Sequence, residues 1–317
     1  MKLIRIVIIG VAIVVAAAVT ITAGIHDKSM AAPPPVKKVQ VTLPTAPASY
    51  LGVYTAPSPH SYAGVTAFTS LIGVQPDVNM YYSGWLEPFQ ASFATSAASH
   101  GAVPLVQIDP TGVKLTAIAS GKYDEYLISF ADAVRFYGRP VILGFGHEMN
   151  GTWYTWANGH ASPAAFIAAW RHIVNLFREA GAGNVTWLWT INIIEKPAGI
   201  LSPVSWWPGS SYVTWVGIDG YYTKSSLTFA PLFGPTIVKV RGLTSDPILV
   251  AETAAGSAAG QPAKIADLFA GIRTYGLLGF VWFDAIGAQD WRLSSPAAVA
   301  AFRQGAAAYH RAGQGGG

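Results

Sequence analysis

From Tyr50 onward, short apolar runs alternate with longer stretches in which apolar residues recur at helical spacing. The short runs are apolar at nearly every position, which is typical of parallel strands that are buried on both faces. Eight of these runs predict strands, at residues 50–55, 78–83, 104–109, 140–148, 185–192, 215–222, 247–252 and 278–285.

The longer stretches between these runs predict helices. Lys122–Tyr137 places its aromatic and aliphatic residues on one face, and Ser162-Pro163, Gln261-Pro262 and Ser295-Pro296 each put a proline in the first turn of a predicted helix. Eight strand-and-helix units within residues 49–312 predict a single (β/α)8 TIM barrel, an α/β fold. A doubly wound open sheet is the alternative, although such sheets usually have fewer strands.

The first 31 residues differ in composition from the rest of the chain. Lys2 and Arg5 precede the uncharged apolar run Ile6–Ile25, which is long for a secretory signal and long enough to span a bilayer. Ser29-Met30-Ala31 resembles a cleavage site, so a cleaved signal and an uncleaved anchor both remain open. Either one predicts an extracellular protein that is secreted or tethered to the membrane only through this segment.

Two further segments flank the predicted barrel. Residues 32–48 are rich in proline and alanine and lack periodicity, which predicts an extended linker. Residues 313–317 are mostly glycine and predict a flexible tail. The predicted chain therefore consists of segment 1–31, linker 32–48, barrel domain 49–312 and tail 313–317.

The charge distribution excludes nucleic acid as a partner. The net charge is +4, but the first 48 residues hold five basic residues and one acidic residue, so residues 49–317 are formally neutral. A neutral domain lacks the basic surface that follows phosphates. The chain also has no cysteine, which excludes thiol chemistry, while its 12% aromatic residues suit a ligand with flat, partly apolar faces such as a sugar.

Polar residues close seven of the eight predicted strands. Active sites of (β/α)8 barrels lie at the C-terminal ends of the strands, so these residues are candidates for one shared site. They are Tyr81-Tyr82-Ser83, Gln107-Ile108-Asp109, His147-Glu148-Met149-Asn150, Thr190-Ile191-Asn192, Asp219-Gly220-Tyr221-Tyr222, Glu252 and Trp282-Phe283-Asp284.

Two of the six glutamates are candidates for catalysis. The other four fall on predicted helices or in loops, whereas Glu148 and Glu252 end predicted strands four and seven, which face each other across a barrel mouth. Two carboxyls about 5 Å apart suit glycoside hydrolysis with retention, and a wider gap suits inversion. Trp153 and Trp156 supply apolar walls that would raise the pKa of Glu148, while a donor such as Tyr221 would keep Glu252 ionised.

A longer motif around Glu148 resembles glycoside hydrolase family 26. Residues 146–156, GHEMNGTWYTW, resemble the acid/base signature of this family, and residues 215–221, WVGIDGY, resemble its strand-six motif. Residues 249–252, LVAE, and 281–283, VWF, resemble its nucleophile strand and its final strand. The similarity runs in the expected order over roughly residues 49–305.

The resemblance implies a retaining, endo-acting enzyme with the barrel fold of the family. Glu148 matches the acid/base, Glu252 the nucleophile, and Tyr221 the tyrosine that contacts the nucleophile. The resemblance also implies three residues around the sugar at the cleavage point, namely His147, Trp153 and Trp282. Asp219 matches a supporting carboxylate near Tyr221. Further substrate-binding residues are expected from their positions at or just after strand ends, namely Trp85, Asp109, Asn150 and Trp156.

Family frequency and local residues favour different substrates. Most of the family cleaves β-1,4-mannan, and smaller groups cleave mixed-linkage β-1,3-1,4-glucan or β-1,3-xylan. Mannanases tend to carry His and Asn-Pro near the end of strand three, where this chain has Gln107-Ile108-Asp109-Pro110, and residues 81–85, YYSGW, look closer to the glucan-cleaving members. The expected substrate is β-mannan by family frequency, with mixed-linkage β-glucan as the alternative. We expect a monomer that needs no cofactor.

Other enzyme classes lack their motifs. His147-Glu148 begins like the HExxH motif of metallohydrolases, but position 151 is glycine, so no metal site is expected. The GxSxG elbow of serine hydrolases does not occur, and residues 144–146, GFG, lack the third glycine of a dinucleotide site.

A non-catalytic carbohydrate-binding barrel on the cell surface is the rival from another class. It would use tryptophans as sugar platforms, namely Trp85, Trp153, Trp156 and Trp282. Such a protein has no need for both Glu148 and Glu252, and the presence of both therefore favours an enzyme.

Overall fold

The computed structural model describes residues 42–194, 202–256, 260–293 and 295–313. Its eight strands are all parallel and close into a barrel in chain order, with the first strand paired to the last. The predicted (β/α)8 barrel is therefore confirmed, and the open sheet is excluded. The strands are β1 Tyr50–Thr55, β2 Val78–Gly84, β3 Val103–Asp109, β4 Val141–Phe145, β5 Val185–Asn192, β6 Trp215–Asp219, β7 Ile248–Thr253 and β8 Gly279–Asp284.

Helices cover the outside of the barrel. Within the described residues they are α1 Ala63–Ile72, α2 Ala91–Ser99, α3 Leu115–Ala119, α4 Asp124–Tyr137, α5 Pro163–Glu179, α6 Phe229–Arg241, α7 Gln261–Thr274 and α8 Pro296–Gly313. The three predicted helix starts with proline are confirmed in α5, α7 and α8. Ser162 caps α5, because its hydroxyl oxygen accepts a hydrogen bond from the Ala165 N–H at 3.2 Å.

The regular strand-and-helix alternation that the sequence predicts changes at two places. Two helices, α3 and α4, follow β3. The described residues after β5 form only the short 3₁₀ helices Pro203–Trp206 and Ser210–Tyr212, and residues 195–201 lie outside the described part of the chain.

Two layers of apolar side chains surround each strand. Met80, Leu105, Ile142 and Leu249 fill the inside of the barrel. The alternate residues of the same strands pack outward under the helices. Burial on both faces explains why the strands are apolar at nearly every position, and each fully buried aliphatic side chain contributes about 1.5–3 kcal/mol.

The folded domain begins before the predicted boundary at residue 49. Leu43 is 8% exposed and lies with the side chains inside the barrel. The Tyr50 hydroxyl donates a hydrogen bond to the Pro44 carbonyl at 2.7 Å. Residues 42–48 therefore pack as part of the domain, although the sequence predicts a linker over 32–48.

The predicted signal or anchor, its cleavage site and most of the linker fall in residues 1–41, outside the described residues. Most of the predicted tail, residues 314–317, also lies outside them, whereas Gly313 ends α8. Among the helices that the structure describes, none is long and apolar enough to cross a membrane.

Three strands end earlier than predicted: β8 by one residue, and β4 and β6 by three residues each, where candidate site residues lie. β4 ends at Phe145 instead of Glu148, because Gly146 and Glu148 have positive φ values of 56° and 55° that turn the chain out of the sheet. β6 likewise ends at Asp219 instead of Tyr222. A positive φ is rare outside glycine, so an apolar pattern alone does not reveal the turn at Glu148.

A hydrogen bond below the barrel mouth joins β3 to β5 past β4. The Gln107 Nε2 donates to the Thr190 Oγ1 at 3.0 Å. A Cβ at Gly144 of β4 would lie 1.9 Å from the Gln107 Oε1, so only glycine leaves room for this contact. The interior of the barrel therefore changes from apolar to polar directly beneath the C-terminal ends of the strands.

Candidate active site

Glu148 and Glu252 both lie at the C-terminal end of the barrel. Glu148 follows β4, and Glu252 lies in β7. They are 6% and 8% exposed, so both carboxyls are largely removed from water. The Glu148 N–H donates to the Thr190 carbonyl at 3.0 Å, which holds the left-handed turn in place against the next strand.

Two nitrogen donors hold the Glu148 carboxyl. The Trp153 Nε1 donates to Oε2 at 2.7 Å, and the Asn192 side-chain amide donates to Oε1. Trp153 is 48% exposed, so one edge of this carboxyl faces the open side of the barrel. Asn192 ends β5, and the carboxyl is therefore fixed by the neighbouring strand as well as by its own loop.

Two tyrosine hydroxyls hold the Glu252 carboxyl. The Tyr82 hydroxyl, from β2, donates to one carboxyl oxygen, and the Tyr221 hydroxyl, just after β6, donates to the other. The Tyr221 ring packs against Trp291, with ring centroids 4.5 Å apart. Both oxygens of Glu252 thus accept hydrogen bonds, an arrangement that stabilises the ionised form.

The electrostatic setting couples the two glutamates. Burial, and then the neighbouring Glu148, raise the pKa of Glu252 from its ordinary value of 4.5 to about 7. The positive charge of His147 and the hydroxyls of Tyr221 and Tyr82 act in the opposite direction. Each glutamate therefore senses the charge of the other.

Asp109 and His147 form an ion pair beside the glutamates. The His147 Nδ1 lies 3.0 Å from the Asp109 Oδ1, and its Nε2 lies 3.1 Å from the Tyr154 hydroxyl. Burial lowers the pKa of His147, but Asp109, and then Glu148 and Glu252, raise it to a net value of about 9. The imidazole is therefore positively charged at neutral pH and balances part of the negative charge of the site.

Asn150 and Trp156 lie beneath the site and support it. Asn150 donates to the Asn192 carbonyl at 2.9 Å and accepts from the Asn192 N–H at 2.9 Å. This pair orients the residue whose amide contacts Glu148. Trp156 is 2% exposed, and its Nε1 donates to the His147 carbonyl at 2.9 Å. The structure therefore places both side chains where they position others and away from the open cleft in which we expected them to bind substrate.

Asp219 is buried next to Glu252, at the end of β6. It is 1% exposed, its backbone pairs with Glu252, and neither of its carboxyl oxygens has a hydrogen-bond partner within the described residues. Burial, and then Glu252 and Glu148, raise the pKa of Asp219 well above its ordinary value. Burial beside two other carboxyls therefore favours the protonated form of Asp219, relative to a carboxyl in water. No cluster of three or more potential metal ligands occurs in the described part of the chain.

Trp85 and Trp282 both pack against aromatic residues of the surrounding helices. Trp282 has 0% exposure and packs against Phe302 of α8, in the layer between barrel and helices. The Trp85 ring packs edge-on against Tyr123 and Tyr126. The buried ring of Trp282 is therefore not accessible to substrate in this structure, whereas a contact between substrate and the partly exposed Trp85 stays a prediction.

Four aromatic or polar side chains for which the sequence predicts no individual role also reach the site. Phe283, one residue after Trp282, points to the barrel mouth and stacks on Tyr54, with ring centroids 4.8 Å apart. Tyr82 and Asn192 were among the strand-end residues but were not assigned a role. The position of Tyr82 and Asn192 at strand ends is the sequence signal that places them near the site. Tyr154 lies within the motif around Glu148, but nothing in the motif distinguishes it from its neighbours.

A family model matches the chain over the residues that build this site. The model of glycosyl hydrolase family 26 matches residues 122–272, which include both Glu148 and Glu252. The chain belongs to glycosyl hydrolase family 26. The family resemblance that the sequence motifs indicate is therefore confirmed, and the barrel is the fold of this family.

Characterised relatives of this family 26 member carry names of different activities. It is 31% identical over 271 residues to Endoglucanase H of Acetivibrio thermocellus, a match that covers 80% of this chain and 30% of that protein. It is 26% identical over 168 residues to a β-1,3-xylanase of Alcaligenes sp., covering 50% of this chain and 32% of that protein. The chain thus spans about a third of the length of these relatives.

A solved structure with the same fold comes from Cellulomonas fimi. That structure is a double mutant of an endo-β-1,4-mannanase, with a TM-score of 0.64, and the match covers 80% of this chain and 68% of the other. The sequence identity is 16%, so the similarity shows a common fold and does not identify a substrate.

Proposed function

We propose that this chain is a retaining, endo-acting glycoside hydrolase of β-linked polysaccharide. The observation that carries the proposal is the pair of buried, electrostatically coupled carboxyls at the barrel mouth, Glu148 and Glu252. Family membership supports the same reaction class. Glu148 is the acid/base and Glu252 the nucleophile.

The hydrogen-bond donors support this division of roles. The raised pKa of Glu252 would by itself suit an acid, but both of its oxygens accept hydrogen bonds from tyrosine hydroxyls, which suits a carboxylate that must attack carbon. Glu148 contacts the half-exposed Trp153, which suits a carboxyl that gives a proton to a leaving group and then takes one from water. Geometry therefore supports Glu252 as the nucleophile.

In the first step, the Glu252 carboxylate attacks the anomeric carbon of the sugar. Glu148 gives its proton to the glycosidic oxygen, the bond from this oxygen to the anomeric carbon breaks, and the leaving sugar departs. A glycosyl ester on Glu252 results. The positive charge of His147 lowers the pKa of Glu252 and so favours the ionised nucleophile.

In the second step, water attacks the anomeric carbon from the side of Glu148. Glu148 takes a proton from this water, the ester bond to Glu252 breaks, and the Glu252 carboxylate is restored. Two inversions leave the configuration of the product unchanged. The raised pKa of Asp219 favours its protonated form, in which it adds no negative charge that opposes ionisation of the nucleophile.

We propose a β-glucan as the substrate. The relative named Endoglucanase H aligns with 80% of this chain at 31% identity, whereas a relative named mannan endo-1,4-beta-mannosidase, from Bifidobacterium adolescentis, aligns with 44% of it at 25% identity. The strand-three end with Asp109 also departs from the pattern of mannanases, and in the structure Asp109 contacts His147 beside the catalytic pair. β-1,4-Mannan, the expectation from family frequency, is the second candidate.

A substrate panel tests the choice. Product analysis on barley-type β-glucan, mannan, β-1,3-xylan and xyloglucan, measured side by side, is expected to give oligosaccharides fastest from the β-glucan. Faster release from mannan would assign the chain to the second candidate. Binding of any of these polymers without products would favour the non-catalytic barrel.

Chemical rescue tests the roles of the two glutamates. Glu148→Gln and Glu252→Gln are each expected to abolish hydrolysis while circular dichroism shows a folded protein. Azide should rescue Glu252→Ala with a glycosyl azide of inverted configuration, and should rescue Glu148→Ala with one of retained configuration. Inversion at Glu148 would reverse the roles.

A polysaccharide substrate also implies that the enzyme acts outside the cell, because polysaccharides do not cross membranes. This part of the proposal depends on residues 1–41, which lie outside the described residues. Expression of the whole chain in a bacterium, followed by fractionation, is expected to show the protein in the medium or on the outer membrane face. Retention in the cytoplasm would contradict an exported enzyme.

A further inference from the structure

Leu86 has a strained backbone at the barrel mouth. Its φ is +73°, in the left-handed region that side chains larger than glycine rarely adopt. It is also 59% exposed, so its aliphatic side chain is not buried in the core. Neither packing nor solvation of the free protein explains a leucine at this position.

A closed turn imposes the strain. The Glu87 N–H donates to the Gly84 carbonyl at 3.1 Å, and the Gly84 N–H donates to the Glu87 Oε2 at 2.8 Å. Leu86 is the third residue of this four-residue turn, and a positive φ at this position usually selects glycine or asparagine. The two hydrogen bonds between Gly84 and Glu87 therefore fix the turn, and Leu86 adopts its positive φ at a conformational cost.

The turn lies next to the catalytic centre. Gly84 is paired in the sheet with Asp109, and Asp109 contacts His147, the residue before Glu148. The preceding Trp85 is packed against Tyr123, which fixes the base of the turn. Leu86 therefore extends from a rigid support on the β2–β3 side of the barrel mouth.

We propose that Leu86 contacts a sugar ring of the bound polysaccharide, at a subsite beside Asp109. This inference rests on the proposed function and names a residue that determines how the chain is bound. The apolar face of a sugar ring removes the exposed leucine from water, a gain that is available only when substrate is present. Glycine would relieve the strain but would provide no side chain for this contact.

Steady-state kinetics with Leu86→Ala and Leu86→Gly test the inference on the polysaccharide that the wild type hydrolyses best. Both variants should raise KM by about 3-fold to 10-fold, as expected for the loss of part of an aliphatic contact. We expect kcat to stay within about 2-fold, because the contact is made equally in the ground state and the transition state. The melting temperature of Leu86→Gly should not fall below that of Leu86→Ala, because glycine relieves the strain.

Ile128→Ala serves as the matched control, because Ile128 is an aliphatic residue on α4 that is 42% exposed. It should leave KM unchanged. An active wild type with unchanged KM in both Leu86 variants would overturn the inference while leaving the proposed function intact. If the wild type hydrolyses none of the polymers, the proposed function fails instead. In that case, electrophoresis in gels that contain each polymer tests binding directly. The inference is overturned if the polymer slows wild type and Leu86→Ala equally, or if it slows neither of them.

Discussion

The Asp109 Oδ1 lies 3.0 Å from the Nδ1 of His147, and this contact connects the end of β3 to the loop that carries Glu148. His147 is buried, and without a counter-charge its imidazolium would be costly to maintain. Asp109 thus controls both the orientation and the charge of the residue next to Glu148. The same contact makes the pH range of the enzyme depend on a side chain of a different strand.

Replacement of Asp109 by Asn should lower the pKa of His147 from about 9, because burial then acts without the carboxylate that opposes it. Loss of the imidazolium at neutral pH would in turn raise the pKa of Glu252, which His147 lowers. We expect kcat/KM at pH 7 to fall and its acidic limb to move to higher pH. NMR titration of the imidazole and a pH–rate profile measure the two effects.

Asp124→Asn is the matched control for this variant. Asp124 forms an ion pair of 2.7 Å with His172 on the outside of the barrel, between α4 and α5. The control should leave the pH–rate profile unchanged. A His147 pKa that stays near 9 in Asp109→Asn would show that the two glutamates alone keep the imidazole charged.

The barrel could be predicted from the sequence, because parallel strands that are buried on both faces leave long apolar runs with polar ends. Because both faces of each strand are apolar, the sequence does not show which side chains of a strand point toward the barrel axis. Tyr81 packs outward on Phe93, whereas Tyr82 points inward to Glu252, and both are aromatic. The choice between two apolar neighbours is therefore made by tertiary structure.

Trp282 shows the consequence at the last strand. The larger aromatic residue was assigned to the site, but it packs on α8, and Phe283 faces the mouth. The register between β7 and β8 shifts between Val250 and Thr253, so counting residues along one strand does not predict the orientation of its neighbour. Glu148 was found by its motif, while its left-handed backbone was not predictable from apolar periodicity.

Removal of the hydroxyl of Tyr82 or Tyr221 should impair Glu252 in its proposed role as the nucleophile. Each hydroxyl lowers the pKa of Glu252, so Phe at either position is expected to move the acidic limb of kcat/KM above pH 7. We expect kcat to fall by about 10-fold to 100-fold, as is common when one donor to a reacting oxygen is lost. A pH–rate profile on the preferred polysaccharide measures both.

Tyr137→Phe is the control for the hydroxyl variants, because the Tyr137 hydroxyl donates to the Ala94 carbonyl at 3.0 Å between two helices outside the mouth. Its kinetics should match those of the wild type. An unshifted acidic limb in both Tyr82→Phe and Tyr221→Phe would mean that ionisation of Glu252 does not limit the reaction.

Trp291 should act through Tyr221. The centroids of the two rings lie 4.5 Å apart. The backbone N–H of Trp291 donates to the Ala285 carbonyl at 3.1 Å, and this bond anchors the loop after β8. Trp291→Leu should lower kcat by about 10-fold and shift the acidic limb upward, because a displaced hydroxyl no longer contacts Glu252. Trp291→Phe keeps a ring and should retain most activity.

A stacked pair of rings outside the site provides a control for Trp291→Leu. His100 stacks on Tyr62, with ring centroids 5.0 Å apart, and His100→Leu removes this contact at the surface. Its pH–rate profile should be unchanged. A loss of activity in Trp291→Leu without any shift of the acidic limb would point to a general structural effect on the loop.

The carboxylate of Glu252 should destabilise the folded protein above neutral pH. The pKa of Glu252 rises from 4.5 to about 7 on folding, so the folded state binds this proton more tightly than the unfolded chain. The resulting stabilisation is fully present below pH 4.5 and is lost as the pH rises through 7. At pH 8 the wild type carries a buried, ionised Glu252 at a cost on the order of 3 kcal/mol.

Glu252→Gln removes this cost without changing the shape of the side chain. We expect the variant to melt several degrees above the wild type at pH 8, and the difference to shrink at pH 5, where the wild-type carboxyl is protonated. Glu179→Gln, on the exposed end of α5, should show no such dependence. Calorimetry at both pH values measures the effect. An equal melting temperature at pH 8 would mean that the tyrosine hydroxyls and His147 fully compensate the burial of the nucleophile, so that the site achieves an ionised Glu252 without a loss of stability.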